Sequence, residues 1–148
     1  NTRPFMAFMA NGVAEAEIER TKELLDDTIT LDYKTPINNV KAVEAELYRM
    51  EADYEAARLL TLRAAWMADN RKPNSLEASI CKAKAGRVTN QIALKCIELC
   101  SSLGYSYQEL IEKWARDSKI LDIFEGTQQI QQLIIARRLL NKSSAELK

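Results

Sequence analysis

The chain has 148 residues, of which 47% are hydrophobic, and its 21 basic residues balance 21 acidic ones. This length and composition predict one compact domain with a buried core, and the balanced charge excludes a general attraction to nucleic acid or anionic membranes. Histidine is absent, which excludes the commonest general base and metal ligand, so an acid or base must be a carboxylate, lysine, cysteine or tyrosine.

The first half of the sequence predicts two helices and no strands, because no window shows sustained period-two alternation of apolar residues. The first helix runs from Pro4 to about Leu25, and its wide apolar face indicates burial against more than one neighbour. A polar connection over residues 26–39 follows. The longest helix then runs from Val40 to Ala68 with alternating three- and four-residue apolar steps, which is typical of a helix packed along a partner.

The second half predicts three more helices, separated by helix-breaking residues. A third helix begins after Asn74 and ends at Gly104, because glycine is a natural C-terminal stop. A short helix follows, and Ser106 is expected to cap it. Gly126 marks a break before the last helix, which Thr127 is expected to cap.

Three long helices and a terminal one predict an all-α fold, an up-and-down four-helix bundle forming a single domain over residues 1–148. The apolar spacing of the longest helix also permits a different interpretation, a coiled-coil interaction module. That interpretation leaves the segment around Glu125 without an explanation.

The three cysteines lie in apolar surroundings and are expected to pack in the core. Cys96 and Cys100 are one helical turn apart, but without histidine or a second cysteine pair they do not complete a zinc site, so no metal is predicted. An odd number of cysteines also favours a reducing compartment, which predicts an intracellular, cytoplasmic protein. No apolar stretch reaches the roughly 20 residues of a membrane span.

A carboxylate beside a glycine lies near the C-terminal end. Glu125 and Gly126 follow an apolar stretch and precede the start of the last helix, which is a plausible geometry for a site. A glutamate just before a helix N-terminus also has a structural explanation, because the helix dipole favours it by about 0.3–1 kcal/mol. These residues alone leave both interpretations open and favour the structural one.

Short segments spread along the chain form a longer pattern: Thr2-Arg3-Pro4, Arg63-Ala64-Ala65-Trp66, Ala78-Ser79-Ile80-Cys81-Lys82-Ala83, Arg116-Asp117-Ser118-Lys119-Ile120, Ile123-Phe124-Glu125-Gly126-Thr127, Ile130-Gln131 and Ile135-Ala136-Arg137. This pattern resembles that of acyl-CoA dehydrogenases, whose closing signature the last four segments match. The resemblance extends over nearly the whole chain. It implies that the chain is the C-terminal, four-helix domain of a larger subunit whose other portions complete the flavin and acyl-CoA sites.

The resemblance implies an FAD-dependent enzyme that removes the α-proton of an acyl-CoA thioester while the β-hydrogen leaves as a hydride to the flavin. Glu125 matches the family's catalytic glutamate. Some relatives place the base at the position of Thr2, so Glu125 is the only candidate in this sequence. A desolvated carboxylate is expected there because the α-carbon is a weak acid.

The resemblance also assigns residues that bind the substrate and the cofactor. Phe124 would form a dry wall beside the base, and Gly126 would leave room for the thioester. Arg3 would lie near the catalytic carboxylate and Arg137 near the coenzyme A end, although both are also compatible with simple surface charges. The residues expected to contact the dinucleotide portion of FAD are Thr127, Gln128 and Gln129.

The resemblance further implies a homodimer or homotetramer formed through the helices, and a mitochondrial location if the source is eukaryotic. An electron-transfer flavoprotein is the expected electron acceptor. An oxidase that uses oxygen in place of that partner is an alternative.

The chain departs from the family pattern in two places. Residues 25–33 lack the arginine and Phe-Gly set that reaches the flavin of a neighbouring subunit in most members. Glu98, Ser101 and Ser102 stand where members usually have glutamine and a glycine pair, and a carboxylate near a pyrophosphate would repel it. These departures keep open a second interpretation, a non-catalytic helical partner subunit of the same family with a degenerate flavin site.

Overall fold

The computed structural model describes residues 2–147, and this part of the chain consists of helices joined by turns. The helices are α1 Arg3–Leu24, α2 Ala42–Asp69, α3 Ser75–Gly104, α4 Ile111–Ile123 and α5 Gln128–Leu140, with a 3-10 turn at Ile37–Asn39. The predicted all-α fold is therefore confirmed. Within residues 2–147, no helix combines the length and the apolar character needed to cross a membrane.

The helix boundaries agree with the predictions except at the start of α4. Thr127 caps α5 as expected, because its hydroxyl accepts a hydrogen bond from the Ile130 amide at 3.5 Å. The prediction that Ser106 caps the fourth helix is wrong: α4 begins only at Ile111, and the Ser106 hydroxyl donates to the Leu103 carbonyl at the end of α3. Residues 105–110 form a connection instead of a first helical turn.

Hydrogen bonds and ion pairs show that α2 runs antiparallel to α1. The Asn11 side-chain amide of α1 donates to the Thr61 hydroxyl of α2 at 3.1 Å. Further along α1, Lys22 pairs with Glu51, which lies nearer the start of α2. The two helices therefore form an antiparallel hairpin.

Helix α3 lies parallel to α1 and contacts every other helix of the bundle. At its start, the Arg3 guanidinium of α1 donates to the Ser79 hydroxyl at 3.2 Å. Further along both helices, the Thr89 hydroxyl of α3 donates to the Ala10 carbonyl of α1 at 3.0 Å. This central position explains why α3 is buried on more than one side.

Helix α4 packs closely against α3 at Gly86. A Cβ at that position would lie 2.9 Å from Oδ1 of Asp122, so the absence of a side chain permits the approach. Further along α3, the Asn90 side chain donates to the Ser118 hydroxyl at 2.9 Å, which makes α4 antiparallel to α3. Helices α1 to α4 alternate in direction, so the up-and-down bundle is confirmed, but its fourth helix is α4 and not the terminal helix that the sequence predicted; α5 packs against α3.

Small side chains line the contacts between α1 and α3. Ala7, Ala10 and Ala14 of α1 are each 1% exposed and belong to the same cluster as Cys81 and Cys96 of α3. Burial raises the pKa of each of these two thiols to about 12, so both stay protonated. All three cysteines are free and buried, as the prediction of core packing requires.

A kink near the end of α3 places a non-glycine residue in a strained conformation. Ser101 has φ +53° and ψ −129°, inside a stretch that is otherwise helical. Such a backbone costs about 1–3 kcal/mol for a residue with a Cβ, and glycine adopts it readily.

Replacing Ser101 by glycine is therefore expected to raise the free energy of unfolding by about 1 kcal/mol, after the cost of the higher conformational entropy of glycine in the unfolded chain is subtracted. Ser102→Gly is the matched control, and it should lower the free energy of unfolding because that residue has helical geometry. Urea unfolding of the two variants measures the difference. Equal destabilisation by both would contradict the strain at position 101.

Candidate functional site

The connection between α4 and α5, residues 124–127, forms a tight turn that we call the Glu125 turn. Phe124 leaves α4 in an extended conformation, and Glu125 and Gly126 follow with φ angles of +58° and +101°. Thr127 then starts α5. Two successive left-handed residues are uncommon, and strain at a non-glycine residue such as Glu125 is often found at functional sites.

Gly126 is required in this turn for two independent reasons. Its φ of +101° suits glycine and strains other residues. In addition, a Cβ on Gly126 would lie 2.5 Å from Nε2 of Gln131, a side chain that is itself buried. The predicted break before the last helix is confirmed, because α4 ends at Ile123 and α5 begins at Gln128.

Two buried side chains hold the carbonyl groups of the Glu125 turn. Lys82 of α3 is 1% exposed, and its Nζ donates to the carbonyls of Asp122 at 2.8 Å and Gly126 at 2.7 Å. Nε2 of Gln131, also 1% exposed, donates to the carbonyls of Glu125 at 3.0 Å and Gly126 at 3.2 Å. The turn is thus fixed from both α3 and α5.

Burial lowers the pKa of the Lys82 ammonium, and the carboxylates of Asp122 and Glu125 act in the opposite direction. Lys82 and Gln131 were not among the predicted site residues, although both fall within the segments that carry the resemblance. The sequence did contain one indication that Lys82 is buried. Lys82 is four residues after Ala78 and three before Ala85, so it shares the buried side of α3 with these core residues, where an unpaired lysine is rare.

The Glu125 carboxylate points away from the core of the chain. Glu125 is exposed, and its Oε2 accepts a hydrogen bond from the Thr2 hydroxyl at 2.8 Å. Phe124 is partly buried and packs against the core cluster. The desolvation expected at Glu125 is therefore not provided by the described residues, and the carboxylate is presented at the surface of the domain.

Arg3 and Arg137, which the resemblance assigns to the substrate, line one pocket together with Arg138 and Lys142. Nε of Arg137 donates to the Leu147 carbonyl at 2.7 Å, and Lys142 pairs with Glu146. We call this pocket the basic groove. Its several cations suit an anionic group, and it brings together two predicted residues that are far apart in the sequence.

The residues expected to contact FAD lie at the start of α5, in a second pocket. The side-chain NH2 group of Gln128 is already used within the fold, because its Nε2 donates to the Ala83 carbonyl at 2.7 Å and also to the Asp122 carboxylate. Gln129 is exposed and free to face a ligand. The residues lining this pocket are Arg87, Lys119, Asp122, Ile123, Thr127, Gln128, Gln129 and Gln132.

Arg87 and Lys119 were not predicted to take part in this pocket. Nη2 of Arg87 donates to Oε1 of Gln128 at 3.4 Å, and Lys119 pairs with Asp122 at 3.0 Å. Together with the amides of the first turn of α5, these cations fit a phosphate-bearing group such as the dinucleotide portion of FAD.

Comparison with known proteins agrees with the fold. The sequence model of the family described as "Acyl-CoA dehydrogenase, C-terminal domain" matches residues 1–140. The chain is 32% identical over 135 residues to the mitochondrial short-chain specific acyl-CoA dehydrogenase of Rattus norvegicus, and the match covers 91% of this chain and 32% of that protein. The chain therefore belongs to the acyl-CoA dehydrogenase family, as the resemblance predicted.

Solved structures agree with this assignment. Butyryl-CoA dehydrogenase from Megasphaera elsdenii superposes with a TM-score of 0.83 and 28% identity, covering 93% of this chain and 36% of that one. A glutaryl-coenzyme A dehydrogenase in complex with glutaryl-CoA superposes with a TM-score of 0.83 and 26% identity, covering 99% of this chain and 37% of that one. The chain spans about a third of the length of these relatives.

Proposed function

We propose that this chain is the C-terminal domain of a longer, FAD-dependent acyl-CoA dehydrogenase and that Glu125 takes the α-proton of the acyl-CoA thioester. The observation that carries the proposal is the Glu125 turn. Its left-handed backbone is held by buried donors while its carboxylate is presented at the domain surface. A structural glutamate at a helix N-terminus needs no such rigid support.

The residues of the turn suit proton abstraction. The Thr2 hydroxyl orients Oε2 of Glu125, so we expect Oε1 to take the proton. The missing side chain at Gly126 leaves room for a thioester beside the backbone, and the Glu125 amide is positioned by the same turn to stabilise charge on the thioester oxygen. FAD, when bound, supplies the acceptor for the β-hydride.

Substrate and cofactor would bind on different sides of the turn. We assign the basic groove, with Arg3 and Arg137, to the anionic coenzyme A portion of the substrate. Thr127, Gln128 and Gln129 at the start of α5 would hold the dinucleotide of FAD. A homodimer or homotetramer formed through the helices, an electron-transfer flavoprotein as acceptor and an intracellular location, mitochondrial in a eukaryote, remain predictions.

The second candidate is a non-catalytic partner subunit, and it is favoured by the departures from the family pattern. Glu98 is exposed and pairs with Lys95 at 2.6 Å, so a carboxylate stands where glutamine is usual. Ser101 keeps a conformation suited to glycine but adds a side chain. Both changes oppose binding of a pyrophosphate near the end of α3.

Flavin absorbance of the purified full-length protein separates the two candidates. The dehydrogenase should contain FAD, and anaerobic addition of acyl-CoAs of several chain lengths should bleach its absorbance. The partner subunit should instead be free of flavin although it folds and associates. Flavin that is retained but not bleached by any acyl-CoA would contradict the proposed reaction.

A further inference from the structure

Lys82 connects the two ends of the segment that carries Glu125. Its Nζ donates to the carbonyl of Asp122, in the last turn of α4, and to the carbonyl of Gly126, directly after Glu125. Carbonyls at the end of a helix lack partners within it, so the ammonium satisfies one of them. One buried cation therefore fixes where α4 stops and how the chain turns at Glu125.

The burial of Lys82 is unfavourable by itself. A lysine that is 1% exposed loses its hydration, and burial lowers its pKa accordingly. Methionine is similar in length and would fill the same space without this cost. The chain nevertheless has a lysine at this core position, and its Nζ donates to two backbone carbonyls that flank Glu125.

The remaining polar contacts of the turn do not replace this cation. Gln131 donates to the Glu125 and Gly126 carbonyls from α5, so it holds the C-terminal side of the turn. The Asp122 carbonyl is bound from α3 by Lys82. The Phe124 amide donates to the Ile120 carbonyl at 3.0 Å and keeps the start of the turn on α4. Loss of Lys82 would remove its hydrogen bonds from α3 to the Asp122 and Gly126 carbonyls, so that Glu125 and Gly126 could shift relative to α3 and α4.

We propose that Lys82 is a positioning residue for Glu125: its ammonium holds the left-handed turn so that the carboxylate lies at the correct place for proton abstraction. The proposal rests on the proposed function, because it matters only if Glu125 is the base. Lys82 acts through the backbone of the turn and is not expected to touch the substrate. A displacement of a reacting group by about 1 Å reduces turnover by up to roughly 100-fold.

The test is Lys82→Met in the full-length, FAD-containing protein, assayed with the acyl-CoA that bleaches the wild-type flavin fastest. We expect kcat to fall by about 10- to 100-fold, with KM and FAD content within about twofold of the wild type. Lys84→Met is the matched control. Lys84 lies on the same helix but pairs at the surface with Asp53, so its replacement should leave kcat unchanged.

A second variant covers the case in which Lys82→Met does not yield folded protein. Lys82→Gln keeps a shorter donor, and its kcat should lie between those of the wild type and Lys82→Met. Wild-type kcat in either variant, or a change confined to KM or FAD content, would overturn the proposal. Glu125→Gln is measured alongside: if it retains wild-type turnover, the proposed function fails whatever Lys82 does.

Discussion

Replacing Glu125 by glutamine in the full-length protein is expected to slow flavin reduction by acyl-CoA by about 100- to 10,000-fold. Glutamine has nearly the same shape, and its carbonyl oxygen can still accept the hydrogen bond from the Thr2 hydroxyl. It cannot accept a proton from the substrate, so general-base catalysis is lost, which is commonly worth about 100- to 10,000-fold. Anaerobic stopped-flow absorbance of the flavin measures the rate.

The matched control is Thr2→Val, which removes the hydrogen bond to Glu125 and keeps the carboxylate. We expect a rate within about tenfold of the wild type, because one hydrogen bond orients the base but does not accept the proton. Both variants should retain FAD, since Thr2 and the Glu125 side chain lie outside the pocket at the start of α5. A larger loss in Thr2→Val than in Glu125→Gln would contradict the assignment of the base.

Replacing Glu17 by glutamine is expected to stabilise the chain at pH 8 by on the order of 4 kcal/mol. Glu17 lies in the interior of α1 and is 0% exposed, and in the described part of the chain neither of its carboxylate oxygens has a hydrogen-bond partner. Burial raises its pKa from 4.5 to about 8. An ionised carboxylate in this position is therefore strongly unfavourable.

The sign of the pH dependence follows from this shift. The unfolded chain releases the proton near pH 4.5, whereas the folded chain keeps it until about pH 8. Between these pH values folding takes up a proton, so the contribution of Glu17 to stability falls as the pH rises, by up to about 1.4 kcal/mol per unit. Below pH 4.5 the wild type and Glu17→Gln should be nearly equal in stability.

Urea unfolding of both proteins at several values between pH 4 and pH 8 tests this expectation. Glu19→Gln is the control, because Glu19 is exposed on the same helix and its replacement should change the free energy of unfolding little. A difference between the wild type and Glu17→Gln that stays constant with pH would contradict the raised pKa of Glu17.

Local signals in the sequence were sufficient to predict most of the helices and the break before α5. Thr127 caps α5 through an amide three residues away, which is a relation within one turn of chain. Ser106 shows where local patterns fail. It is followed by Glu109 at the spacing of a capping box, but Glu109 pairs with Arg20 of α1, and the serine hydroxyl donates backwards to Leu103.

The helical fold was also accessible from sequence, because it depends on residue types and spacings along one chain. The family and the candidate base came from the resemblance of short sequence segments to acyl-CoA dehydrogenases. The hydrogen bonds from Lys82 that hold the turn carrying the candidate base could not be predicted from the sequence. Lys82 and Gly126 are 44 positions apart, and no periodicity indicates that a lysine in α3 will meet the carbonyls of a turn between two later helices.

Burial was likewise decided by the tertiary structure. Glu17 lies in a helix with a wide apolar face, and the packing of α1 against its neighbours determines that this glutamate has no exposure while Glu19 is exposed. The packing of the helices also determines that Arg3 and Arg137 line the same groove. The physical reason is that helix formation depends on neighbours within about four residues, whereas burial and charge contacts depend on which helices pack together and at what distance.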